Sequence, residues 1–123
     1  DSRMSTIKAN DIQNASGGIP TVKGQRLIPT GWVNFNQSTN VINDSENISS
    51  LTDVSVGKTN VNFTVAMNDA LYASIVMAIP TVSFSHNVTY CTPSTTSNVR
   101  VTHYENTSAT DTSALHIVIL GGQ

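Results

Sequence analysis

Charge is what this sequence has least of. Asp, Glu, Lys and Arg make up 11% of 123 residues, against about 25% in an ordinary soluble domain. The six basic residues are scattered and the net charge is −2, which leaves no electrostatic footprint for a nucleic acid. The same shortage argues against an acidic or lysine-rich disordered chain. Cysteine occurs once, as Cys91, so an internal disulfide framework and a cysteine-rich zinc site are both excluded. No apolar run approaches the ~20 residues of a membrane-spanning helix. Residues 1–6 have no apolar core, so no signal peptide is expected there. Aromatics are also few: three Phe, three Tyr and one Trp. The interior must therefore be built from Val, Ile, Leu and Ala, and self-association is expected to add burial.

What fills the deficit is uncharged polarity. The chain has 15 Ser, 16 Thr and 13 Asn. Its length suits one domain, and this composition points to a β-rich one.

Residues 1–30 differ from the rest. Gly17-Gly18-Ile19-Pro20, Lys23-Gly24 and Ile28-Pro29 interrupt both helix and ladder. Only residues 7–13 suit a short helix or strand. Ile7, Ile12, Ile19, Val22, Leu27 and Ile28 are too apolar for a free tail. They fit an extended arm that buries them on another subunit or a partner protein; a disordered terminus is the plainer alternative.

From Gly31 the pattern becomes that of strands. Residues 32–36 alternate large apolar with polar side chains, as a half-buried strand should. Residues 37–47 are rich in Ser and Asn and read as a loop. Residues 48–56 alternate weakly. Gly57-Lys58 then supplies a hairpin turn, since glycine takes positive φ without steric cost. Residues 60–65 form the cleanest strand, with Val61, Phe63 and Val65 on one side. Met67-Asn68-Asp69-Ala70 reads as a corner. Residues 71–79 are nearly all apolar and stop at Pro80, which predicts a buried strand, extended by Val82-Ser83-Phe84. Residues 87–91, 98–104 and 114–120 predict three more strands, separated by turn formers. Short strands at regular spacing indicate an antiparallel sandwich or barrel.

No catalytic or metal-binding pattern stands out. His86, His103 and His116 form no short-spaced ligand pair. His103 and His116 lie in predicted strands and would need to meet across a sheet to hold a metal; solvated or core-edge histidines are the simpler reading. There is no Gly-x-Ser-x-Gly elbow. Cys91 beside His86 or His103 resembles a thiol–imidazole pair, but a lone buried cysteine explains it better. The acids sit mostly in turns, and nothing specifies the cleft that paired carboxylates require. No phosphate-binding glycine motif occurs. Asn47-Ile48-Ser49, Asn62-Phe63-Thr64 and Asn87-Val88-Thr89 match a glycosylation acceptor, as triplets in so polar a chain do by composition alone. No cofactor and no enzymatic activity are expected.

Several separated motifs do occur in a recognisable order. They are Gly31-Trp32-Val33-Asn34-Phe35-Asn36, then Asn47-Ile48-Ser49-Ser50-Leu51-Thr52-Asp53, then Val61-Asn62-Phe63-Thr64, then Ala66-Met67-Asn68-Asp69-Ala70-Leu71-Tyr72-Ala73. This arrangement resembles a module of tailed-bacteriophage fibre proteins, especially those of marine phages. Family members also tend to open as in Met4-Ser5-Thr6-Ile7-Lys8 and to end on a Val/Ile-rich strand with a terminal glycine, as in residues 116–122. Two departures bear on loop function: Asn68 stands where the corner usually has Pro, and the loop after the first strand is Ser/Asn-rich instead of Gly-rich. Asp1-Ser2-Arg3 precedes the family-like Met4, as either a cloning remnant or a processed upstream segment.

The resemblance implies a virion structural protein with an all-β fold. The expected architecture is an antiparallel β-sandwich or jelly-roll-like head at residues 31–123, preceded by an extended N-terminal attachment arm at residues 1–30. It implies a homotrimer held to other virion proteins through the arm, with no nucleic acid bound and no membrane insertion. The expected role is a tail fibre or fibre tip contacting host-surface glycan or protein; a capsid head fibre or decoration protein is the alternative. Exposed loops at 37–46, 92–97 and 105–112 are the expected receptor contacts. Their candidate residues are Asn40, Asn43, Asp44, Glu46, Thr95, Asn98, Glu105 and Asn106.

Overall fold

The computed structural model describes residues 5–18, 21–22, 25–26, 29–81, 86–92 and 95–122. Among them there is no helix, and two antiparallel sheets face each other as a sandwich. The first sheet has the order β4-β3-β11-β7, with β3 at Gly31–Asn36, β4 at Val41–Glu46, β7 at Ala73–Ala78 and β11 at Leu115–Leu120. The second contains β5 (Ile48–Ser55), β6 (Lys58–Phe63), β9 (Asn98–Glu105) and β8 (Asn87–Thr92), side by side in that order. A two-residue strand, β10 (Ser108–Ala109), pairs with the end of β9 beyond the reach of β6. In the N-terminal segment β1 (Thr21–Val22) and β2 (Gln25–Arg26) form a minimal hairpin.

The expected alternation does build the core. Val33 and Phe35 of β3 and Leu115, Ile117 and Ile119 of β11 meet Val61, Phe63, Val99 and Val101 from the opposite sheet. Each such side chain contributes roughly 1.5–3 kcal/mol by leaving water. Met67 and Tyr72 close one end of the core. The Tyr72 ring stands edge-on to Phe63, with centroids 5.5 Å apart, and its hydroxyl donates to the carbonyls of Thr95 and Asn98. The 67–70 corner is thereby locked to the core, and Asn68 N–H donates to Gly122 O.

The hairpin forms around Gly57 as expected, but its turn is Val56-Gly57 and Lys58, opposite Ser55, already belongs to β6. Gly57 has φ of 75°, and a Cβ there would lie 2.6 Å from the His103 carbonyl oxygen. Both facts restrict the position to glycine.

Three expectations need correction. Residues 37–47 are not a continuous loop: a short turn precedes β4, an edge strand that exposes most of its side chains. β6 stops at Phe63, so Val65 is exposed and its N–H binds Asn47 Oδ1. Residues 71–79 do contain a strand, but β7 is an edge, with Ile75 60% and Met77 69% exposed. The proposed extension at 82–84 lies outside the described residues.

Candidate functional site

The two outer faces of the sandwich differ in chemistry. On the first sheet, register places Trp32, Val118 and Ile75 in one cross-strand row and Asn34, His116 and Met77 in the next. Leu120 and Ile79 extend the apolar surface, and both are exposed. β7 carries no charge or proline and pairs with β11 without a bulge. The edges β4 and β5, by contrast, have register shifts and carry Asp44, Glu46 and Asp53. Bulges and charges protect an edge from pairing with other chains.

The second sheet carries a shallow groove of about 430 Å³ on its outer face. It spans two adjacent rows across β6, β9 and β8. One row is Asn60, Arg100 and Thr92; the other is Lys58, Thr102 and Tyr90. The alternation of β6 dictates this placement: Thr59, Val61 and Phe63 point inward, so Lys58 and Asn60 point out. Arg100 Nε donates to Asn60 Oδ1 at 2.9 Å, which orients the guanidinium. Tyr90 is 40% exposed and lines the groove. The rim is the 95–98 turn, where Thr95 Oγ1 accepts the N–H groups of Ser97 and Asn98. Lys58 and Arg100 are the only basic residues between 31 and 123. Among the described residues neither forms an ion pair.

A second groove, of about 530 Å³, lies where residues 14–18 pass Thr30, Asn47 and Val65. Its described lining holds one acid, Glu46, and no cation or aromatic ring.

A buried polar cluster occupies the interior near the β9–β10 turn. His103 and Glu105 are 1% and 6% exposed. His103 Nδ1 lies 2.7 Å from Thr89 Oγ1, and Nε2 lies 3.5 Å from Glu105 Oε1. The Thr81 N–H and hydroxyl both donate to the Glu105 carboxylate. Those bonds, led by the Thr81 hydroxyl and opposed by burial, hold the Glu105 carboxyl below its ordinary pKa. Among the described residues no buried side-chain N or O atom lacks a hydrogen-bond partner, and the cluster has the geometry of a satisfied interior network.

The expected site residues scatter over this framework. Asn40 sits in the β3–β4 turn with φ of 55°. Asn43, Asp44 and Glu46 lie in β4, on the opposite side of the molecule from β8; Asn43 Nδ2 donates to Asn34 Oδ1. Thr95 and Asn98 belong to the groove. Glu105 is the clear correction. It ends β9 with its carboxylate turned inward, because position 105 shares the inward phase of Val99, Val101 and His103. Asn106, with φ of 56°, makes the turn into β10.

Of the arm residues, Ile7 and Ile12 are exposed, Val22 lies in β1, and Ile19, Leu27 and Ile28 lie outside the described residues. His103 and His116 do not meet across a sheet: one is buried in the second sheet and the other exposed on the first. Cys91 is only half-buried. Burial pushes its thiol pKa up, more than the Ser74 hydroxyl lowers it, which disfavours the reactive thiolate.

Sequence reasoning passed over Lys58, Asn60, Tyr90 and Arg100. A usable signal was present, since the only two cations after residue 30 fall at outward positions of strands that follow the Gly57 turn. Comparison with family models, curated proteins and solved structures yields no match.

Proposed function

We propose that this chain is a virion structural protein, a phage tail fibre or fibre-tip protein that takes part in host-surface attachment without enzymatic activity. The observation that carries this reading is the ordered motif set from Trp32 to Ala73. Its residues supply β3, β5, β6 and the Met67–Tyr72 corner, so the resemblance rests on the skeleton of the fold and not on variable loops.

In this reading the particle-surface protein is a homotrimer. The occupant of the apolar first-sheet face is a second copy of the chain. Ile75, Met77, Ile79 and Leu120 are each exposed and form the apolar centre of that contact. The uncharged, unbulged β7 edge lies beside them. Residues 1–28 attach the head to other virion proteins, and the polar second-sheet face and the turn at 95–98 remain open to a host surface.

The test is immunogold labelling of intact particles with an antibody against the head. Label at fibre tips is the expected result. Label confined to capsids would replace the tail assignment with a head fibre or decoration protein, and particles without label would remove the virion reading altogether.

A further inference from the structure

The structure assigns the Lys58–Arg100 groove as a binding site for an acidic saccharide, a sugar chain bearing carboxylate or sulfate groups. This deepens the attachment reading, on which it rests for its biological setting.

The first argument is the placement of charge. Beyond residue 30 the chain has six acids and two bases, and both bases line one groove whose described lining contains no acid. Lys58 lies opposite Thr102, and Asn60 opposite Arg100, so the two cations are diagonal neighbours on adjacent strands. Diagonal positions are about 7–8 Å apart. From neighbouring positions both long side chains can reach one anion, which offsets the repulsion between the two like charges. An Asp or Glu at position 60 or 102 would have neutralised them within the fold; Asn60 and Thr102 stand there instead.

The second argument is the remaining lining. Arg100 is held by Asn60 at 2.9 Å, and a fixed guanidinium suits two-pronged recognition of a carboxylate or sulfate. Tyr90 supplies an exposed ring on which the C–H face of a pyranose can stack. Thr95 and Asn98, fixed in their turn, supply hydroxyl and amide groups for sugar hydroxyls. A site for a bare anion would not need the ring or the rim.

The test uses the full purified chain and isothermal titration at low salt. The probes are an oligogalacturonate, a sulfated galactan oligomer, a neutral galactan oligomer of matched length, inorganic sulfate and an oligoglutamate peptide. The expected result is that an acidic oligosaccharide binds at least tenfold more tightly than each of the last three. Arg100→Gln and Lys58→Gln should each weaken it tenfold or more, and Tyr90→Ala several-fold. Lys8→Gln, which removes a cation outside the groove, should leave affinity unchanged. Circular dichroism and melting temperature establish that each variant is folded, and Arg100→Lys, retaining charge, should restore part of the affinity if Arg100→Gln is unstable.

Equal binding of neutral and acidic oligosaccharides would overturn the proposal. So would equal binding of inorganic sulfate or oligoglutamate, or full affinity in folded Arg100→Gln. These results are separable from the particle-labelling experiment, because saccharide binding by purified protein does not depend on where the chain sits in a virion.

Discussion

Asn47 carries the passage from one sheet to the other in a single residue. β4 ends at Glu46 and β5 begins at Ile48, and Asn47 takes φ of 59° between them. Its Nδ2 donates to the carbonyls of Thr30 and Val65, and its Oδ1 accepts from Val65 N–H at 2.8 Å. Asparagine tolerates the left-handed region better than most residues. Asn47→Ala should destabilise the fold by about 2–3 kcal/mol, from three lost hydrogen bonds and a strained backbone, measured by urea denaturation. Asn47→Gly should cost less, because it relieves the backbone while losing the same bonds. Equal costs would show that the side-chain bonds alone matter.

Glu105 gives the second residue-scale prediction. Its carboxylate accepts from Thr81 and faces His103, and its pKa lies below the ordinary 4.5. The folded state therefore binds this proton less readily than the unfolded chain does. The resulting stability is fully present above about pH 4.5 and is lost as pH falls through the lower, folded value. Glu105→Gln should lower the melting temperature at pH 7, and its deficit relative to the parent should shrink below pH 4.5. A deficit constant with pH would assign the effect to packing instead of charge.

At the scale of elements, the strands with one buried face were legible, and so were the edges β5 and β8; the edge β4 and the exposure of β7 were not. β3 and β6 alternate because one face meets the core, and that contrast is written in the residues. β4 is polar at its last four positions and follows a Ser/Asn-rich turn, so it looks like a loop; only pairing with β3 makes it a strand. β7 fails in the opposite direction. Its continuous apolar sequence predicts burial on both sides, yet within one chain only Ser74, Val76 and Ala78 turn inward. An apolar edge makes sense if a second subunit covers it. Ile75→Lys combined with Met77→Lys should leave the circular dichroism spectrum unchanged and convert the proposed trimer to monomer in sedimentation velocity. A parent chain that is itself monomeric at micromolar concentration would refute the assignment.

For the whole molecule, the proposed division between arm and head can be drawn more finely than a boundary after residue 30. Thr30 is buried; its N–H and hydroxyl both donate to the Ile119 carbonyl, at 2.9 and 3.0 Å. It extends the β3–β11 ladder by one residue, so a truncation should remove residues 1–28 and keep Pro29 and Thr30. That truncated chain should fold with a melting temperature close to the parent and fail to enter virions. Normal incorporation would show that the arm does not attach the head. By itself the sequence determined the all-β class, most strands and the Gly57 hairpin, because period-two alternation and turn chemistry are local properties. The tertiary structure alone decided which residues share a face. Lys58 and Arg100 are 42 positions apart in sequence and become diagonal neighbours only through the β6–β9 register. Glu105, polar and next to a turn, went inside because strand phase and a partner in Thr81 outweighed its cost of burial.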